Sequence, residues 1–139
     1  MKNIFVAGAS GFIGNHIILE GLRRGYTITG TTRSVQKEAL LREIVSTHLG
    51  DEALSRLTIF HCDLNSPDGW ADAMKGCDAV LHVASPFPMG LPKHEDDLIL
   101  PARNGVKHVF EAAIKNNIHR IVQTSSIAAI MYGHEHGKM

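Results

Sequence analysis

The stretch that most constrains this chain is its N-terminal segment. Lys2-Asn3-Ile4-Phe5-Val6-Ala7 is a short apolar run of strand type, Gly8-Ala9-Ser10-Gly11-Phe12-Ile13-Gly14 follows at once, and His16-Ile17-Ile18-Leu19-Glu20-Gly21-Leu22 opens with helical spacing. A strand, a glycine-rich turn and a helix in immediate succession aim the unpaired N–H groups of a helix start at a phosphate. Glycines permit the tight turn, let backbone amides approach the anion, and let the helix pack close to the strand. The alternative is a left-handed glycine turn that holds no ligand. A triphosphate-cradling loop is disfavoured, because no Gly-Lys-Ser/Thr follows.

The rest of the chain repeats the same alternation. Strands are predicted over 2–7, 27–32, 57–62, 78–84 and 120–124, with helices between them over 12–24, 35–48 and 94–116. A further helix is expected to start at Ser66-Pro67-Asp68, with proline in the first turn, and to end at Lys75-Gly76. Leu40, Leu41, Ile44 and Val45 are read as one buried helix face; Val106, Val109, Phe110, Ala113 and Ile114 as another. Pro101 is expected to kink or restart the long helix, and Asn116-Asn117 to cap it. Strands joined only by helical crossovers imply an α/β fold, a Rossmann-like doubly wound parallel sheet of five strands. With a nucleotide turn at the first strand the expected order is 3-2-1-4-5, truncated before a sixth strand, as one domain over 1–139.

Bulk properties remove several classes of function. Lys plus Arg and Asp plus Glu both number 14, which gives no electrostatic case for nucleic acid or an anionic membrane. No apolar run approaches the ~20 residues of a membrane span, and no signal-peptide layout is present. The two cysteines, Cys62 and Cys77, have neither disulfide-framework nor metal spacing. Cytoplasmic localisation is the expectation.

Ser10 and the amides of Phe12 and Ile13 are expected to face the phosphates. The end of the second strand selects the dinucleotide. An acidic residue there would bond a ribose 2′-OH, whereas this chain has Thr31, Thr32 and Arg33, with Lys37 one turn on. A guanidinium pairs with a 2′-phosphate, so NADP(H) is expected over NAD(H). The alternative for Arg33 is a solvated strand-end residue.

Taken together, Gly8 to Gly14, Arg33, Asp63-Leu64, His82-Val83-Ala84-Ser85-Pro86 and Thr124-Ser125-Ser126 resemble the extended short-chain dehydrogenase/reductase family. The likeness covers the whole chain and points to its dihydroflavonol reductase-like and cinnamoyl-CoA reductase-like branch, within the epimerase/dehydratase relatives. It implies a cofactor set of Gly8, Ser10, Gly11, Phe12, Ile13, Gly14, Arg33, Lys37, Asp63, Leu64, Val83, Ala84, Ser85 and Thr124. In that set Asp63 and Leu64 meet the adenine, and Val83, Ala84 and Ser85 the ribose and nicotinamide side. From local sequence alone, the alternative for Asp63 is a helix-entry or turn aspartate.

The resemblance further implies that Ser126 is catalytic and bonds a substrate carbonyl, and that a small-molecule carbonyl compound is the substrate of the full-length family. In the family a Tyr and a Lys four residues later complete the site. Here Tyr132 has His136 at that place, and Tyr26 precedes the second strand. The expectation is therefore the NADP(H)-binding portion of a carbonyl reductase, inactive as this fragment. A non-catalytic NADP(H)-binding or sensor module and an NAD-dependent epimerase/dehydratase are the alternatives. Self-association is expected through the fifth-strand edge or the face a missing helix would cover. His134-Glu135-His136 is read as exposed polar residues and no metal is expected. His82 is read as packing beside the cofactor, and Phe87, Pro88, Met89 and Leu91 as possible substrate-wall residues.

Overall fold

A computed structural model describes residues 2–86, 90 and 92–133. Five parallel strands form one sheet in the order β3-β2-β1-β4-β5: β1 (Asn3–Ala7), β2 (Thr27–Thr32), β3 (Leu57–His61), β4 (Ala79–His82) and β5 (Ile121–Gln123). Around them lie α1 (Phe12–Arg23), α2 (Val35–Leu49), α3 (Trp70–Ala73), α4 (Asp96–Lys115) and α5 (Ala128–Met131), with a 3-10 helix over Asp51–Arg56. The expected order and class are both present.

Strand side chains alternate between faces, so β1 builds two cores. Phe5 and Ala7 pack with Trp70, Ala73, Val80, Val109, Ala112 and Ala113, under α3 and α4. Val6 packs with Ile18, Leu22, Ile28, Leu41 and Val45, under α1 and α2. The register aligns Ala7 with His82, His82 with Gln123, and Thr32 with His61. The carboxyl ends of the strands therefore lie side by side, and the loops that leave them share one rim.

Several elements depart from expectation. The third helix does not start at Ser66-Pro67-Asp68. Ser66 Oγ donates to Asp68 Oδ2 at 2.8 Å and accepts from the Asp68 N–H at 3.2 Å, so the hydroxyl closes a local turn. The helix begins after Gly69, whose φ of 80° is left-handed. In α4 the chain runs helically through Pro101. Proline's ring opposes the carbonyl four residues back, here Asp97 in the first turn, where disruption is least costly. The apolar stripes are narrower than expected: Leu40 is 56% and Ile114 74% exposed, while Leu41, Val45, Val109 and Ala113 are buried.

Candidate functional site: a cleft at the carboxyl ends of the strands

The glycine turn is built by exclusion of side chains. A Cβ on Gly14 would stand 2.1 Å from the Gly8 carbonyl oxygen, and one on Gly8 (φ +87°) would stand 2.8 Å from the Ala84 backbone. Turn, helix and the loop after β4 are thus in backbone contact. Thr31 ties the turn to β2: its Oγ1 accepts from the Gly8 N–H at 3.2 Å, and its carbonyl from the Ala9 N–H at 2.9 Å. Helix α1 follows its N-cap Gly11 with no side-chain cap and no acidic residue in its first turn. Its positive end is open to an anion.

Over this turn lies a cleft of about 370 Å³, and it gathers residues from every βα loop of the first four strands. Gly8, Ser10, Gly11, Arg33, Lys37, Asp63, Leu64, Val83, Ala84 and Ser85 all line it. The spacing in sequence becomes one surface because parallel strands bring their carboxyl ends together. Arg33 leaves β2 just before the N-cap Ser34, whose Oγ accepts from the Lys37 N–H at 3.4 Å. Glu38, next along, is held by Arg42 at 2.8 Å and His61 at 2.9 Å. Partial burial pushes its carboxyl up, and those two hydrogen bonds outweigh this and leave it lowered. Asp63 Oδ1 accepts from the Asn65 N–H at 2.8 Å in a turn, and the residue also lines the cleft.

Other expected residues lie elsewhere. The side chains of Phe12 and Ile13 line an apolar depression with Ile4, Ile17 and Leu81, so only their backbone belongs to the turn. Gly14 contributes close packing and does not line the cleft. Thr124 donates its N–H to the His82 carbonyl at 3.0 Å beyond β5, and Ser126 Oγ accepts from the Ala128 N–H at 3.2 Å on the exposed start of α5. Neither lines the cleft. His82 does not pack in the cleft; it is 1% exposed on the α3/α4 face, and burial pushes its imidazole pKa down. Phe87, Pro88, Met89, Leu91 and His134-Glu135-His136 lie outside the described residues. Among the described residues no three His, Cys, Asp or Glu side chains converge as a metal site.

Sequence reasoning missed Cys62, Asn65, Trp70, Pro86, Asp97 and Pro101, which also line the cleft. Cys62 is buried, and burial pushes its thiol up to about 11, which makes it a wall and not a nucleophile. Trp70 is tied to the turn before it. Its indole N–H reaches back to the Asp63 and Ser66 carbonyls at 3.2 and 2.9 Å.

A five-stranded parallel sheet in the order 3-2-1-4-5 with helices on both faces defines a Rossmann-like α/β protein. The chain belongs to the NAD dependent epimerase/dehydratase family, which it matches over residues 4–138. It is similar to the cinnamoyl-CoA reductase 2 of Arabidopsis thaliana, 37% identical over 131 residues that cover 93% of this chain and 36% of the relative. Against the dihydroflavonol 4-reductase of Dianthus caryophyllus, identity is 31% over 125 residues, covering 90% and 34%. Among solved structures, yeast methylglyoxal/isovaleraldehyde reductase Gre2 complexed with NADPH superposes with a TM-score of 0.78 at 32% identity, over 91% of this chain and 38% of that one. The chain thus spans about a third of the length of these relatives. The resemblance read from the motifs is borne out.

Proposed function

We propose that the cleft binds NADP(H), and that the chain is the cofactor-binding portion of a carbonyl reductase acting on a ketone or aldehyde. The observation that carries this reading is the convergence of the uncapped α1 N-terminus, Arg33, Lys37 and Asp63 on one cleft. In this arrangement the turn amides hold the pyrophosphate, and Arg33 and Lys37 the 2′-phosphate. Asp63 and Leu64 hold the adenosine, and Val83, Ala84 and Ser85 face the ribose and nicotinamide half. Glu38 is held by Arg42 and His61 and does not line the cleft beside Arg33 and Lys37. The relatives named above are reductases, and the yeast structure holds NADPH.

The cofactor, when bound, supplies a hydride. Ser126, in the segment after β5, is the residue we assign to the substrate carbonyl oxygen. A proton must also reach that oxygen, and the 139 residues hold no tyrosine with a lysine four positions on. That absence favours a second reading, binding without turnover by these residues. Fluorescence titration of NADPH and NADH against the chain tests the cofactor assignment. NADPH is expected to bind at least about tenfold more tightly; equal affinities would remove Arg33 from the account and favour an NAD-using epimerase or dehydratase. Consumption of NADPH in the presence of methylglyoxal would sink the second reading.

A further inference from the structure

The loop that leaves β3 is held in place from outside. Helix α4 meets it twice at Leu64. His108 Nδ1 stands 3.0 Å from the Leu64 carbonyl oxygen, across 44 residues of sequence. A carbonyl only accepts, so Nδ1 carries the proton; the neutral Nδ1–H ring and the imidazolium both meet that need. One turn earlier, Gly105 leaves space for the Leu64 side chain. A Cβ there would stand 2.5 Å from Leu64 Cδ2 and 3.0 Å from Leu64 Cβ. Residues three apart share a helix face, so Gly105 and His108 grip one residue by its side chain and its backbone. Leu64 and its neighbours Asp63 and Asn65 line the cleft, whereas neither Gly105 nor His108 does.

We propose that His108 is a positioning residue for the adenosine end of the cofactor. Its bond to the Leu64 carbonyl, with Gly105 beneath the Leu64 side chain, sets how far the Asp63–Asn65 loop stands into the cleft. The proposal rests on the dinucleotide reading above and deepens it. It assigns α4 a part in recognising adenosine, and it separates His108 from residues that touch the ligand.

The test is calorimetric titration of the full chain with adenosine 2′,5′-bisphosphate and with NADPH, for wild type, His108→Leu, His108→Asn and Gly105→Ala, with thermal midpoints measured alongside. Asn Nδ2 falls where His Nδ1 does, so His108→Asn keeps the donor. Loss of one such bond at a binding loop is worth about tenfold. His108→Leu is expected to weaken both ligands by that same factor, and His108→Asn to restore most of it. Gly105→Ala, which removes no hydrogen bond, is expected to weaken both by displacing Leu64. If His108→Leu does not fold, Gly105→Ala decides: weakened binding supports the proposal and wild-type binding overturns it. Wild-type affinity in His108→Leu, or failure of His108→Asn to recover it, overturns the proposal while the dinucleotide reading stands. A wild-type chain that binds neither ligand overturns both.

Discussion

Gly14 is enclosed on the side where a side chain would project, and the three nearest atoms it would strike are backbone: the Gly8 oxygen at 2.1 Å, the Ala9 oxygen at 2.8 Å and the Ala9 carbonyl carbon at 2.9 Å. No rotamer change relieves such a contact. Gly14→Ala is expected to cost about 3 kcal/mol or more in urea unfolding and to abolish NADPH binding; an unaltered midpoint would mean the turn is looser than described. Arg33 acts differently, since it lines the cleft without supporting the fold. Arg33→Ala should weaken NADPH by roughly 10- to 100-fold, the scale of charge-assisted hydrogen bonds, and leave NADH nearly unchanged. His82 carries a pH effect. Neither ring nitrogen has a partner among the described residues, and burial holds the pKa below the ordinary 6.5. Below that value the unfolded chain takes up a proton that the native state refuses. Stability is therefore full above about pH 6.5 and falls as pH drops towards the folded-state pKa, by about 1.4 kcal/mol per pH unit. Urea midpoints between pH 7 and 5.5 should show this slope, and His82→Leu should flatten it; an equal slope in the variant would assign the effect elsewhere.

At the scale of elements, the start of α2 is where fold and site meet. Ser34 caps the helix through the Lys37 N–H, and Thr32 Oγ1 donates to the Ser34 carbonyl at 3.2 Å. Ser34→Ala should cost about 1 kcal/mol in chemical denaturation; no change would mean that the long 3.4 Å capping contact contributes nothing. The elements also show what was readable in advance. The strand–glycine turn–helix unit, the β-branched Thr27–Thr32 and the order of the strands were legible, because each follows from local chemistry repeated along the chain. The third helix was not, since Ser66 and Asp68 satisfy a turn and a helix start equally well until Gly69 adopts its left-handed φ. The exposed Leu40 and Ile114 were misplaced for another reason: periodicity marks a stripe, but the neighbouring element decides its width. In the site, Gly8, Ser10, Gly11, Arg33, Asp63, Leu64, Val83, Ala84 and Ser85 were legible by their positions after strands, whereas Cys62, Asn65 and Pro86 beside them were not. Gly105, His108 and Trp70 were not, because their partners lie far off in sequence or behind a turn.

On the scale of the whole molecule, apolar surface collects at one side. Val122 on β5 is 63% exposed and Phe12 81%, and Ile4, Ile13, Ile17 and Leu81 line an open depression between α1 and the sheet. The sheet ends at β5 in this direction. We propose that a second copy of the chain covers this side, through the β5 edge or the depression. Sedimentation should show mass rising with concentration, and Val122→Lys, a charge on an edge strand, should return the chain to monomer; a sharp monomer boundary at high concentration would count against it. No helix among the described residues is long and apolar enough to cross a membrane. The account as a whole depends on where a dinucleotide sits. Electron density from a crystal grown with NADP⁺ tests that directly. It should place the pyrophosphate over the α1 N-terminus, with the 2′-phosphate within hydrogen-bond reach of Arg33 or Lys37 and the adenine against Leu64. Density for the dinucleotide anywhere else, or a 2′-phosphate turned to solvent, would contradict it.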